Sequence, residues 1–423
     1  MDVAVLVFFI GILIILGHIL SEVFARTKIP DLLFLLIIGL VLGPVLGLLT
    51  PEMFGILGPI FSTISLIVIL FEGGLNLRIE AIKSTFRECS HLTLLNFCGA
   101  VGVTVFVVLL LAGTDPLTGF MLAIIVAGTS PSVVIPLIRQ LGLSEKSQTI
   151  LSIESALTDV LSIVLLLIAL QAYQLHRFSF AVAIETLVGS FAIAIIIGIA
   201  GGIAWSVIRK KVAFFNKIFA IPAFIFILYG FIEIIGFSGA IAALVFGITL
   251  GNLGYFRGIL APVADLDVKK IELTETEKAF FGEIVFLLRT FFFIYIGLSI
   301  QFNNRPVFIL GLIITLLLYL VRIPAVWLSI PRSTSVWDAS VMAVMIPKGL
   351  ATAVLASMPL QQAYPEGLFI QEATYAIVLF SIIINSLLII LLDKTAFSRA
   401  YRRIFTGFRQ DTERGEEGKT GPG

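Results

Sequence analysis

Runs of about 20 apolar residues recur along the whole chain, and each has the length of a helix that crosses a bilayer. Composition agrees: 59% of the 423 residues are hydrophobic and 13% are charged, with a mean hydropathy of +1.10, outside the range of soluble globular domains. The chain therefore reads as an all-α polytopic membrane protein. Bounded by Gly, Pro and charges, the runs predict thirteen spans, at about 3–25, 30–48, 56–75, 86–113, 116–139, 146–173, 180–206, 215–235, 237–252, 279–300, 306–330, 335–359 and 370–393. The first is longer than a signal-peptide core, lacks a basic stretch before it and is followed by Arg26 and Lys28, so it reads as a retained span.

Loop charges set the orientation. With the N-terminus outside, the external gaps hold only Arg177 and Arg305 of the 28 basic residues; Arg289, Arg322 and Lys348 lie within spans, and the rest fall in the inside gaps and tail. This predicts a multi-pass cell-membrane protein with a cytoplasmic C-terminus. A net charge of +1 gives no reason to expect a nucleic-acid partner. Cys89 and Cys98 share one predicted helix without metal-like or redox spacing and read as packing residues; no cofactor is expected, and no metal beyond a transported ion.

The order of features repeats. The second span ends LLIIGLVLGP and the ninth ALVFGITLGN; the third ends ILFEGGLNL and the tenth FIYIGLSI. An offset of seven helices is odd, so the two copies are inverted in the membrane, as in secondary transporters. The predicted organisation is a first six-helix repeat over residues 1–175, a linking seventh helix over 176–212, a second repeat over 213–393 (helices 8–13) and a short cytoplasmic tail over 394–423. The fifth and twelfth helices match one another in this scheme, and both are interrupted. Gly128 and Pro131 break AIIVAGTSPSVVIPLI, and Pro347 and Gly349 flank Lys348 in AVMIPKGLATAVLA. Crossed half-helices present partial positive charge at their N-termini and partial negative charge at their C-termini, and so need a compensating anion and cation.

The sixth span, KSQTILSIESALTDVLSIVLLLIALQAY, supplies the anion. It carries Glu154 and Asp159 in its interior, and a charge there costs about 3 kcal/mol on insertion scales, which marks it as an ion, proton or substrate site. Ser155 shares a face with Asp159 at i, i+4, and Thr158 with Glu154 on the adjacent face. A carboxylate flanked by hydroxyl and carbonyl oxygens suits a small hard cation or a proton, and occupancy by one expels the other. Such a site facing the two sides in turn is an exchanger. A channel, a cation-coupled symporter of an organic anion, and an intramembrane hydrolase built on Ser155 and Asp159 are the rival readings; the chain has no HExxH-type motif, and the reading is not an enzyme.

At LFEGGLNL (Leu70–Leu77), the Thr129-x-Pro131 break, ESALTD (Glu154–Asp159), RTFFFIYIGLS (Arg289–Ser299) and PKGLATAVLA (Pro347–Ala356), the sequence resembles the monovalent cation/proton antiporter superfamily, on the side of the NhaP-type sodium/proton antiporters. The resemblance covers essentially the whole membrane region. It implies a homodimer in the lipid membrane, two crossed unwound helices in a moving core, and elevator-like alternating access. It implies that Asp159 binds cation or proton, with oxygens from Thr129, Ser155 and Glu72 and with Ser130 and Thr158 beside them, and that Glu154 is ion-paired with Lys348. Arg289 reads as a structural charge. The chain departs from the family pattern at Ser130, where the family has Asp, and at Thr158, where it has Asn; Lys348 stands where this branch commonly has Arg. One exchanging carboxylate predicts electroneutral exchange of one H+ for one cation, Na+ first, with Li+ or K+ as alternatives.

Overall fold

Proline, glycine and short polar caps decide where these apolar helices stop. The computed structural model describes residues 8, 11–12, 14–20, 22, 31–51, 57–77, 79–80, 86–174, 180–211, 218–255, 274–300, 304–394, 401 and 403–409. The elements are α1 (Asp31–Leu40, running into a π turn, Val41–Val45), α2 (Leu57–Asn76), α3 (Phe86–Leu111), α4 (Pro116–Ala127), α5 (Pro131–Gln140), α6 (Glu145–Gln174) and α7 (Phe180–Lys211). They continue with α8 (Ala220–Ile234), α9 (Gly239–Gly251), α10 (Glu275–Ser299), α11 (Arg305–Ser329), α12 (Val336–Val344), α13 (Leu350–Gln361) and α14 (Gly367–Lys394). Among the described residues six helices are long and apolar enough to cross a membrane, Arg87–Leu111, Glu145–Gln174, Ala192–Arg209, Ala279–Ser299, Arg305–Ser329 and Gly367–Leu392, and shorter apolar helices fill the remainder. The protein is a multi-pass membrane protein. Most of the predicted first span, most of the connector between the ninth and tenth spans, and the end of the tail lie outside the described residues.

The two predicted interruptions are real breaks. The fifth span is α4 plus α5, and the twelfth is α12 plus α13. Asp115 caps α4 by accepting from the backbone N–H groups of Leu117 and Thr118, with Pro116 in the first turn, where its missing donor costs nothing. Ser335 caps α12 through the Asp338 N–H.

The helices sort into two bundles. In the first, α1 and α2 pack with α7, α8, α9 and α10; in the second, α3, α4, α5 and α6 pack with α11, α12, α13 and α14. Each bundle draws from both halves of the chain. The first holds its own apolar cluster, in which Phe71 meets Phe246 and Phe281 at ring separations of 5.6 and 5.1 Å and Trp205 is buried. Its helices touch backbone to backbone: a Cβ on Gly74 would lie 2.3 Å from the Leu244 carbonyl oxygen, and one on Gly247 2.3 Å from that of Phe71. Gly39 and Gly297 bring α1 against α10 in the same way. Gly198 and Gly202 of α7 pack on Ala242, Val245 and Thr249 of α9 within the same chain.

The chain also folds back at its far end. Arg409 donates from its backbone N–H to the carbonyls of Arg332 and Thr334 and accepts from Val336 N–H, at 3.0, 3.1 and 3.0 Å. The Arg332 guanidinium lies over the Trp327 and Phe408 rings, at 4.1 and 4.5 Å.

Candidate functional site

Between α4 and α5 the backbone runs extended through Gly128 (φ −64, ψ 154) and Ser130 (φ −80, ψ 114), and Pro131 restarts the helix. Between α12 and α13 residues 345–349 are non-helical, with Gly349 also extended (φ −139, ψ −154). These glycines are needed for space rather than for unusual torsions. A Cβ on Gly349 would lie 1.9 Å from Ser130 Oγ, and one on Gly128 3.0 Å from Ser162 Oγ and 3.1 Å from an Asp159 carboxylate oxygen.

The two unwound segments are joined directly. Ser130 N–H donates to the Pro347 carbonyl at 2.9 Å. Lys348 Nζ donates to the Gly128 carbonyl at 2.8 Å, and Lys348 N–H to Ser381 Oγ at 3.1 Å. The Gly128 carbonyl ends α4, so the buried ammonium stands at the negative pole of that half-helix.

Beside the crossing a cavity of about 550 Å³ separates the bundles. Asp159 of α6 opens onto it with Ser152, together with Ser130 and Arg139 from the broken helix. Glu72 and Asn76 of α2 and Arg289 of α10 line the facing side. Among the described residues no hydrogen bond reaches the Asp159 carboxylate.

Three of the hydroxyls expected at the ion make hydrogen bonds within the protein. Thr158 Oγ1 accepts from the Thr129 N–H at 3.1 Å, lies 3.2 Å from Thr129 Oγ1, and donates to the Ser155 carbonyl at 3.1 Å. It thus caps a donor freed by the break. Ser155 Oγ donates to the Ser152 carbonyl of its own helix. Thr129, Ser155 and Thr158 are fully buried, whereas Ser130, Asp159 and Glu72 line the cavity.

The expected pairing of Glu154 with Lys348 is corrected by the structure. Arg322 of α11 binds Glu154 with two parallel bonds, Nη1 to Oε1 at 2.6 Å and Nη2 to Oε2 at 3.0 Å, and Asn96 Nδ2 adds a third at 3.2 Å. Arg322 Nε also donates to the Met342 carbonyl, in the last turn of α12. Both charges are buried, at 0% and 1% side-chain exposure. The physical reason is geometric: a planar guanidinium meets both carboxylate oxygens with parallel bonds and still has its Nε–H for a carbonyl, while the Lys348 ammonium is held at the Gly128 carbonyl. Arg322 and Asn96 were not singled out from the sequence. The available signal was a permanently charged residue interrupting LLLYLVRIPAV, with Glu154 the fully buried acid in need of a partner.

A membrane protein whose half-buried, mid-helix carboxylate faces a cavity beside two unwound, crossing helices has the build of a secondary ion transporter. Residues 10–393 match the family described as sodium/hydrogen exchanger, transmembrane, and the chain belongs to that family, one of transporters and not of enzymes. Among its relatives is Na(+)/H(+) antiporter 1 of Methanocaldococcus jannaschii, 27% identical over 375 residues, covering 84% of this chain and 83% of that protein. Another is the K(+)/H(+) antiporter NhaP2 of Shewanella baltica, 26% identical over 258 residues, covering 58% of this chain and 43% of that one. The fold is shared with the solved sodium proton antiporter MjNhaP1 of Methanocaldococcus jannaschii at pH 8, with a TM-score of 0.68 and 22% identity over 91% of this chain and 100% of that chain.

Proposed function

We propose that the chain exchanges a monovalent cation for a proton, with Asp159 as the single carboxylate that carries either ion. The observation that carries this reading is Asp159 itself, set mid-span in α6 and opening onto the cavity beside the crossing. Occupancy is competitive because cation and proton need the same oxygens. Ser130 and Glu72 line the same cavity and are the nearest candidates for further oxygens, direct or through water; Thr129, Ser155 and Thr158 shape the carboxylate's support.

Charge balance supports one-for-one exchange. Glu154 is neutralised by Arg322, and Lys348 is tied to the Gly128 carbonyl as a fixed counter-charge for Asp159. If both pairs persist through the cycle, only Asp159 changes its ion, and exchange is electroneutral. Sodium is the first choice of cation and K+ the second, the latter because a relative carries the name of a K(+)/H(+) antiporter.

The same reading has the second bundle move against the first, since the cavity lies between them and the glycine-packed helices form one rigid side. With the C-terminus cytoplasmic, Arg139 marks the inner end of α5, and the cavity opens inward. The resemblance to the NhaP-type antiporters adds a homodimer to the proposal.

The test is proton movement in proteoliposomes as Na+, Li+ and K+ are added in turn. Asp159→Asn abolishes exchange with every cation; exchange that survives this change removes Asp159 from its role. A rate that tracks an imposed membrane potential overturns the one-for-one stoichiometry.

A further inference from the structure

The interrupted helices are tied together not only where they cross but also at both far ends. At one end Asp115 stands at the start of α4. Its carboxylate accepts from Leu117 N–H at 2.9 Å, from Thr118 N–H at 3.1 Å and from the Thr118 hydroxyl. Tyr364, just past the end of α13, is 5% exposed. Its hydroxyl lies 2.8 Å from Thr118 Oγ1 and donates to both Asp115 oxygens at 3.4 Å.

At the opposite end Asp338 stands in the first turn of α12 and is 4% exposed. It accepts from the Ser144 N–H at 3.2 Å and from the Ser144 hydroxyl, in the short turn that leads from the end of α5 into α6. Trp337 Nε1 donates to the Leu141 carbonyl at 3.4 Å in the same joint.

The arrangement is reciprocal. An acid at the start of each interrupted helix holds the residue that follows the end of the other. Asp115 thereby joins the outer ends of α4 and α13, and Asp338 those of α5 and α12. The near ends of these same four half-helices present the Gly128 carbonyl, Ser130 and Lys348. The extended segments between them have no helical hydrogen bonds of their own to resist sliding, and the Ser130–Pro347 and Lys348–Gly128 bonds do not by themselves fix the outer ends.

We propose that Asp115 with Tyr364, and Asp338 with Ser144, are paired end clamps that hold the crossing in register, and so are positioning residues for the ion site. This rests on the reading of Asp159 as the exchange site. A coordinating constellation works only when held to within about 0.5 Å, and stiff half-helices carry a shift at their outer ends to the crossing.

The experiment is exchange in proteoliposomes over a concentration series of Na+, or of K+ where Na+ gives none, normalised to folded protein. Ser144→Ala and Tyr364→Phe each remove a clamp hydroxyl and leave both acids in place; the phenylalanine keeps the ring that meets Tyr173 edge-on at 4.7 Å. Each variant raises the half-saturating cation concentration about tenfold, the worth of a hydrogen bond to a charged group, with a smaller change in maximal rate. Because both clamps hold one crossing, the double variant shifts it by more than the product of the singles. Ser144→Thr restores the hydroxyl and returns the wild-type value. Half-saturation that stays within about twofold of wild type in the singles and the double, with only the yield of folded protein falling, overturns the proposal. Asp159→Asn in the same series separates the two claims: if it abolishes exchange while the clamp variants are unshifted, only the clamps fail; if exchange survives it, the site reading fails.

Discussion

The two bundles are built on opposite principles. In the first, α2 and α9 and likewise α1 and α10 meet through glycines at distances that admit no Cβ, so carbonyl backbone forms the contact. In the second, the central joint is polar: Ser130 to Pro347, Lys348 to Gly128 and Arg322 to Glu154. Close apolar packing gives a surface with one arrangement, because a backbone carbonyl cannot rotate away from an intruding atom. A polar joint has direction and charge, and an ion can be admitted to it. The difference separates glycine-packed helix pairs from the part that holds the crossing.

The comparison can be broken most severely at Arg322. Removing one partner of a buried ion pair leaves an uncompensated charge, a loss of about 3–5 kcal/mol. Arg322→Met therefore sharply lowers the thermal stability of the purified protein, and Glu154→Gln in the same chain recovers most of it. If the single change leaves the melting temperature unaltered, the pair is not an internal support of the second bundle.

The next effect separates the bundles by kind. Gly349→Ala forces a Cβ onto Ser130 Oγ and costs about 1–3 kcal/mol by overpacking. Here the obstacle is a side chain, and Ser130→Gly added to Gly349→Ala restores stability. Gly247→Ala in the first bundle has a cost of the same order, but the obstacle is the Phe71 carbonyl oxygen, so trimming neighbouring side chains gives no rescue. Its half-saturating cation concentration stays at the wild-type value while its melting temperature falls. Rescue by side-chain trimming at Gly247 would erase the distinction.

The smallest effect lies at the exposed end of the second bundle. Burial acts to raise the Asp115 carboxyl, but hydrogen bonds from Thr118, Leu117 and Tyr364 outweigh it and hold the group below the ordinary carboxylate range. A folded-state value below the unfolded one means that the stabilisation is full above the unfolded value and is lost as the pH falls through the folded one. Asp115→Ala lowers stability at neutral pH by about 1 kcal/mol, the worth of a helix cap. In melting curves the difference from wild type closes as the pH is taken down through the acid range.

Much of this could be read in the chain alone because membrane helices advertise their exceptions. Gly128, Pro131, Pro347 and Gly349 mark breaks that the structure contains, and Asp159 stands out from an apolar run. The pairing of charges was hidden. Three cations, Arg289, Arg322 and Lys348, lie within three different predicted spans, and spacing along one span does not say which acid each will meet across the bundle. The contact made by Thr158 was hidden for a related reason. Helical periodicity associates it with Glu154, but the unwinding of a neighbouring helix presents the Thr129 N–H to it, and a freed donor takes the nearest oxygen. The contacts at the outer helix ends were equally invisible, since Ser144 and Asp338 are joined only by the folding of distant segments.

The return of the chain at Arg409 gives the molecule a handle. Its backbone is laced to Arg332, Thr334 and Val336, so tension applied to the distal end is delivered to the first turn of α12, where Asp338 sits, before it reaches α14. A load attached beyond Arg409 pulls on the broken helix itself, and one attached by cutting the chain before Tyr401 does not.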